Sequence, residues 1–113
     1  MDISIIVVSH NTKTLLLDCL SSIFATVEGV SFEVWLVDNN STDGTLEAVR
    51  ERYPAVNVIA NKENLGFAAA NNQAFQSMSG RYALLLNSDT TLTEGAVQAL
   101  YDFMEAHPEA GMG

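Results

Sequence analysis

The sequence predicts an α/β fold in which a mainly parallel sheet is flanked by helices. The first observation is that four short strand-like segments alternate with four helix-like segments along 113 residues. The second is that the clearest strand segments are almost continuously apolar, as strands covered on both faces are. Because alternation at this spacing implies βαβ units with right-handed crossovers, we expect a single domain of about four βα units.

Two βα units are predicted in the first half of the chain. Residues 3–8 and 32–37 contain several β-branched side chains and predict the first two strands. The helix between them has apolar residues at helical spacing, and these are Leu15, Leu16, Cys19, Leu20, Ile23 and Phe24. Leu46, Val49 and Tyr53 line the next predicted helix, which Pro54 closes.

Two further units are predicted in the second half. Residues 56–60 predict a weaker third strand, and residues 82–86 predict a buried fourth strand. Between them we expect a helix with Gly80 as its C-cap, and its inward side chains are those of Phe67, Ala70, Ala74, Phe75 and Met78. A last helix is predicted from about Thr93 and stops before Pro108.

Composition and charge restrict the classes of function. A net charge of −9 with five Lys and Arg residues argues against nucleic-acid binding, which depends on neutralising phosphates. Because such a chain has few basic residues, a bound metal ion is the simplest means by which it could neutralise and bind a polyanion. No apolar run approaches the roughly 20 residues of a membrane span, and the start lacks a basic signal-peptide region, so we expect a cytoplasmic chain. Cys19, the single cysteine, is expected to be a buried thiol.

Polar segments follow all four predicted strands, at residues 9–11, 38–43, 61–64 and 87–90. In open α/β sheets, ligands collect at the carboxyl ends of the strands. Because the ends of parallel strands lie at one edge, we expect these four segments to converge on one site.

Asn87, Ser88 and Asp89 follow the fourth strand without a turn glycine. A carboxylate there can hold Mg²⁺ or Mn²⁺, with phosphate oxygens of a ligand completing the coordination shell. The alternative is that Asp89 caps the following helix or forms an Asx turn.

Asp38, Asn39 and Asn40 have the donors and acceptors to bind a pyrimidine base and its ribose, or to satisfy backbone groups of their own loop. His10 can stack on or hydrogen-bond a base, or be a partly exposed loop histidine. His107 lies at the end of a predicted helix, where the helix dipole explains it. We assign His107 no role.

The segment from Asn64 to Gln73 opens a helix with small residues. Gly66 at its start can leave N–H groups available to an anion. The alternative is a small-residue face that packs closely on the sheet and needs no ligand. Asn71 and Asn72 project about 100° apart, so at most one of them can face the same cleft.

Four segments, in this order, resemble the N-terminal part of family 2 glycosyltransferases, which have the GT-A fold. They are residues 5–11 (IIVVSHN), 37–45 (VDNNSTDGT), 64–72 (NLGFAAANN) and 85–90 (LLNSDT). The third segment is particularly similar to the rhamnosyltransferase-like branch, which builds bacterial surface polysaccharides.

The resemblance implies a nucleoside-diphosphate-sugar donor, such as a UDP- or dTDP-sugar, usually with Mg²⁺ or Mn²⁺. It implies transfer with inversion to a glycan or lipid-linked acceptor. By the same resemblance Ser9 and Asn11 flank the base, Asp38 and Asn39 contact the base and ribose, and Asp89 holds the metal.

Two positions depart from the family pattern. Asn87 stands where the family has the first acid of its DxD-type motif, and Asn39 stands where it often has a second acid. Metal binding therefore depends almost wholly on Asp89, and the choice of base is open.

The acceptor-binding region and catalytic base of the family lie later in the chain. We therefore expect residues 1–113 to be the nucleotide-sugar-binding half of a catalytic domain, a fragment inactive alone. The whole protein could be peripheral at the inner membrane. A noncatalytic flavodoxin-like or receiver-like module is the alternative, although Lys13 and Lys62 are poorly placed for a receiver. The sequence does not indicate a Rossmann dehydrogenase, because it contains no Gly-x-Gly-x-x-Gly motif.

Overall fold

The computed structural model describes residues 2–27, 30–88 and 96–106. Strands and helices alternate throughout, as predicted, and the third strand begins one residue later than expected. The elements are β1 (Ile3–Ser9), α1 (Lys13–Thr26), β2 (Phe32–Asn39), α2 (Thr45–Arg52), β3 (Asn57–Asn61), α3 (Phe67–Ser77), β4 (Tyr82–Asn87) and α4 (Ala96–Ala106).

The four strands form one parallel sheet in the order β3-β2-β1-β4. The chain adds β2 and β3 on one side of β1 and then returns to place β4 on the other side. Ligands of such sheets bind outside the carboxyl ends, where the strand order reverses. The fold therefore places the end of β1 at the centre of the candidate edge.

Helices cover both faces of the sheet. Ile5 and Val7 of β1 belong to a core cluster that includes side chains of α1, α2 and α4. Ile6, which points to the opposite face, packs in a second cluster with Ala70 and Ala74 of α3. Both alanines are fully buried, so the small residues of α3 form a close packing face on the sheet.

Gly80 is not the C-cap of α3, and that prediction is wrong. The helix ends at Ser77, and Met78 follows in an extended conformation. Gly80 instead lies against β1, where an added Cβ would be 2.4 Å from both the backbone N and the Oγ of Ser4. Close approach of two backbones, rather than a left-handed φ, therefore explains the glycine.

Helix α1 buries a narrower face than its sequence pattern predicts. Leu16, Cys19, Leu20 and Ile23 are fully buried, which confirms the buried thiol. Leu15 and Phe24 are instead 47% and 40% exposed, and Phe24 stacks on Tyr53 with ring centroids 5.4 Å apart.

The predicted start of the last helix near Thr93, and its end before Pro108, lie outside the residues that the structure describes. In the part that it does describe, no helix is long and apolar enough to cross a membrane.

Candidate functional site

The carboxyl ends of the strands bring the predicted polar segments to one edge of the sheet. Ser9 pairs with Asp38 at the end of the β1–β2 ladder, and Asn39 pairs with Asn61 at the end of the β2–β3 ladder. On the other side of β1, the last residue of β4 is Asn87. The β1–α1 loop therefore lies between the ends of β2 and β4.

Asn11 joins the β1–α1 loop to the β2–α2 loop. Its φ of 53° is in the left-handed region, which Asn tolerates better than most residues. The backbone N–H of Asn11 donates to Ser41 Oγ at 2.8 Å, and its Oδ1 accepts from the N–H of Thr42 at 2.7 Å. These bonds hold two loops of the edge together.

Asp43 links the same loops at the starts of two helices. Its carboxylate accepts hydrogen bonds from the N–H of Lys13 at 3.0 Å and from the N–H and hydroxyl of Thr45. The Thr45 hydroxyl, followed by the two N–H groups, holds the pKa of Asp43 below 3.8 despite some desolvation. An open cleft of about 360 Å³ lies alongside, lined by Asn11, Thr12, Lys13, Thr14, Leu15 and Asp43.

Asp38 is only 1% exposed and closes its own turn. Its Oδ2 accepts from the N–H of Ser41 at 2.9 Å, and its Oδ1 accepts from the Ser41 hydroxyl at 2.6 Å. Asn40, which the sequence also assigned to the site, is exposed with a φ of 62° and supplies the bend. Asp38 therefore has the loop-forming role that the sequence left as an alternative.

Asn39 is 2% exposed and connects β2 to α3. Its Nδ2 donates to the carbonyl oxygen of Gly66 at 3.3 Å, and its Oδ1 accepts from Asn61 Nδ2 at 2.9 Å. Asn61 in turn exchanges two hydrogen bonds with the amide of Gln73, at 2.8 and 2.9 Å. This network of three amides fixes the start of α3 against the sheet edge.

Gly66 directly precedes α3 and has a backbone conformation that few other residues can adopt, with φ 84° and ψ 172°. An added Cβ would contact nothing within 4 Å, so the constraint is on the backbone and not on space. The N–H of Gly66 donates to Asn64 Oδ1 at 2.9 Å. The N–H of Gly66 itself is therefore engaged, and any N–H groups available to an anion belong to the first turn of α3.

A chain of hydroxyl groups crosses from β1 to the end of β4. Ser9, which is 1% exposed, has its Oγ 3.1 Å from Thr12 Oγ1. Thr12 Oγ1 donates to Ser88 Oγ at 2.8 Å, so the hydrogen of the first bond comes from Ser9. Thr12 thereby positions Ser88, and the sequence did not indicate this role of Thr12.

His10 lies at the same edge with an exposed side chain. Its Nδ1 is 2.7 Å from the backbone carbonyl oxygen of Asn39, the last residue of β2. The ring is thus held to the sheet although it belongs to a loop.

Asp89, the predicted metal ligand, lies outside the residues that the structure describes, and Asn87 is described by its backbone alone. Within residues 2–27, 30–88 and 96–106, no three His, Cys, Asp or Glu side chains are grouped to hold a metal. Asp38 and Asp43 already accept hydrogen bonds from the loops. The described side chains of this edge therefore form no metal site by themselves, and a cation there would need further oxygens, such as those of a phosphate ligand.

Comparison with known proteins gives a family. A family model described as Glycosyl transferase family 2 matches residues 4–112. An N-acetylglucosaminyl-diphospho-decaprenol L-rhamnosyltransferase of Mycobacterium tuberculosis is 34% identical over 89 residues, which cover 69% of this chain and 29% of the relative.

Solved structures show the same fold. S. aureus TarS 1–349 in complex with UDP-GlcNAc has a TM-score of 0.82 and 26% identity, over 96% of this chain and 32% of that chain. The mannosyltransferase PcManGT from Pyrobaculum calidifontis, in complex with GDP-Man and Mn²⁺, has a TM-score of 0.75 and 29% identity, over 88% of this chain and 30% of that chain.

The chain thus spans less than a third of the length of each of these three proteins. The match extends over nearly all of its own residues and includes the strand ends described above. The expected GT-A fold is confirmed, and a rhamnosyltransferase is among the relatives, as the third motif indicated. The chain belongs to glycosyl transferase family 2.

Proposed function

We propose that this chain binds the nucleoside-diphosphate-sugar donor of a sugar-transfer reaction at the carboxyl edge of its sheet. The observation that carries the proposal is the hydrogen-bonded convergence of the loops after β1, β2 and β3, with Ser88, which follows β4, joined to them. Residues 1–113 then act as the nucleotide-sugar-binding half of a catalytic domain. Because the family match covers residues 4–112, the flavodoxin-like or receiver-like alternative is not retained.

The proposed site divides along the edge by chemistry. The nucleoside lies at the ends of β1 and β2, where imidazole, amide, hydroxyl and carboxylate groups are concentrated, and these belong to Ser9, His10, Asn11, Asp38, Asn39 and Asn40. The diphosphate lies toward the end of β4, near Asn87, Ser88 and Asp89. Gly66 brings the start of α3 to the same edge without adding a side chain.

A divalent cation, Mg²⁺ or Mn²⁺, is proposed to neutralise the diphosphate, with Asp89 as its protein ligand. Support comes from the charge of −9, since only five basic residues are available to neutralise phosphates. The Mn²⁺ in the P. calidifontis mannosyltransferase structure adds support from a related fold. UDP and dTDP are the proposed nucleotides, and UDP-GlcNAc in the TarS complex supports the first.

Transfer to the acceptor is proposed to occur with inversion. Such a step needs a base within hydrogen-bond reach of the acceptor hydroxyl. We place that base outside residues 1–113 and expect this chain alone to be inactive. A lipid-linked or glycan acceptor is supported by the name of the M. tuberculosis relative. We propose a cytoplasmic protein that works at the membrane surface.

Calorimetry with UDP and dTDP, with and without Mn²⁺, tests the proposal. We expect nucleotide binding that depends on the metal and is weakened at least tenfold, about 1.4 kcal/mol, by Asp89→Ala. Asp18→Ala, which removes the same charge from the exposed surface of α1, serves as the control and should bind normally. Absence of binding by the folded chain, or binding indifferent to both Mn²⁺ and Asp89→Ala, contradicts the proposal.

A further inference from the structure

His10 makes a hydrogen bond that defines which of its ring nitrogens carries a hydrogen. Nδ1 lies 2.7 Å from the carbonyl oxygen of Asn39. A carbonyl oxygen can only accept, so Nδ1 is the donor. In the neutral ring, a hydrogen on Nδ1 leaves Nε2 with a lone pair and no hydrogen. The exposed loop histidine therefore presents a hydrogen-bond acceptor at the candidate edge.

We infer that His10 determines which part of the nucleotide sugar lies against β2, because its Nε2 accepts a hydrogen bond from the nucleoside. The chemistry that fits is an N–H of the base or a hydroxyl of the ribose. A phosphate oxygen is itself an acceptor, so it gains nothing from Nε2. This inference rests on the proposed donor binding and assigns a directional contact to His10 in place of stacking alone.

The position of Ser88 supports the same orientation. In the sheet order, β2 and β4 lie on opposite sides of β1. The ring of His10 is bonded to the end of β2, whereas Ser88 follows β4, so the two side chains belong to opposite sides of the edge. Ser88 Oγ already accepts a hydrogen bond from Thr12, and its own O–H can therefore donate to an anion. A hydrogen-bond acceptor on the β2 side and a hydrogen-bond donor on the β4 side match a nucleoside followed by its diphosphate.

The rigid position of Asn39, whose carbonyl oxygen holds the His10 ring, makes the contact of His10 with the nucleoside selective. Asn39 is 2% exposed, and its side chain is held by Gly66 and Asn61. The carbonyl group that orients His10 consequently belongs to an ordered part of the sheet. A group oriented before binding loses less entropy when the ligand arrives.

Nitrogen-15 NMR of the histidine rings in the ligand-free chain tests the first step. In the neutral ring of His10, we expect the hydrogen to be on Nδ1. His107→Gln removes the second of the two histidines and so identifies the signals. A neutral ring with its hydrogen on Nε2 overturns the inference.

Nucleotide analogues with Mn²⁺ test the contact itself. N3-methyl-UDP lacks the base N–H, and 2′,3′-dideoxy-UDP lacks the ribose hydroxyls. His10→Asn retains a donor for the Asn39 carbonyl but removes the acceptor at Nε2. We expect one of the two analogues to bind the original chain about five- to tenfold more weakly than UDP. His10→Asn should weaken UDP binding by a similar factor and abolish that analogue's penalty, while His107→Gln leaves both unchanged.

Failure of the His10 inference can be distinguished from failure of the proposed function. If the original chain binds UDP but His10→Asn binds it equally well, or if the analogue's penalty persists in that variant, the His10 inference is wrong and donor binding stands. If neither UDP nor dTDP binds in the presence of Mn²⁺, the proposed function fails and this contact fails with it.

Discussion

At the scale of single residues, polar side chains can be buried at the carboxyl edge because hydrogen bonds satisfy their donors and acceptors. Asn39 is 2% exposed, and its amide bonds to Gly66 and Asn61. A buried amide left without partners would cost about 1–3 kcal/mol. Each carbonyl or carboxylate oxygen has a second lone pair, so a residue such as Asp38 can support its loop and still accept from a ligand.

Replacement of Gly66 by Ala tests the backbone constraint at the start of α3. Its φ of 84° and ψ of 172° lie in a region that is essentially restricted to glycine. We expect Gly66→Ala to lower the free energy of unfolding by about 1–3 kcal/mol, measured by urea denaturation. Gly44→Asn is the comparison, because Gly44 has φ 83° and ψ 15°, which Asn adopts more easily. Equal stability of Gly66→Ala and the original chain would contradict the expectation.

At the scale of elements, the site depends on how α1 and α2 begin. Asp43 accepts hydrogen bonds from the first residues of both helices, Lys13 and Thr45. The unpaired N–H groups of a helix start favour a negative charge. One carboxylate therefore fixes two helices and the loops that precede them.

The lowered pKa of Asp43 predicts a pH dependence of stability. A carboxyl group whose pKa is lower in the folded than in the unfolded chain stabilises the fold at pH values above its ordinary 3.8. That contribution is lost as the pH falls through the folded-state pKa. We expect Asp43→Asn to lower the free energy of unfolding at neutral pH, with the difference from the original chain shrinking in acid. Urea titrations across this range measure it, and a difference independent of pH would refute the assignment.

The elements were predictable because each depends on local pattern. Alternating apolar segments predict the strands and helices, and parallel topology then predicts that Ser9, Asp38 and Asn61 reach one edge. The contacts within that edge were not predictable in the same way. Thr12 and Ser88 are 76 residues apart, and neither shows in sequence that it would meet the other. Gly80 was misassigned because a glycine after a helix resembles a C-cap whether or not another strand lies against it.

At the scale of the whole molecule, fold and charge lead to the same expectation. The parallel sheet offers one edge for a ligand, and the net charge of −9 makes a bare polyanion a poor ligand for the chain. A nucleotide accompanied by a divalent cation removes this conflict. The chain spans less than a third of the proteins compared with it, and donor binding is the part of sugar transfer that we propose for it.

The most direct test of this assignment is mapping the backbone amide NMR signals while UDP and Mg²⁺ are added to the chain. We predict that the signals that shift cluster at the carboxyl edge, and they are those of Ser9, His10, Asn39, Gly66 and Ser88. Signals from the opposite edge, such as those of Ser4 and Gly80, should remain unchanged. Shifts confined to that opposite edge, or no shifts at saturating nucleotide and metal, would contradict donor binding at the site described.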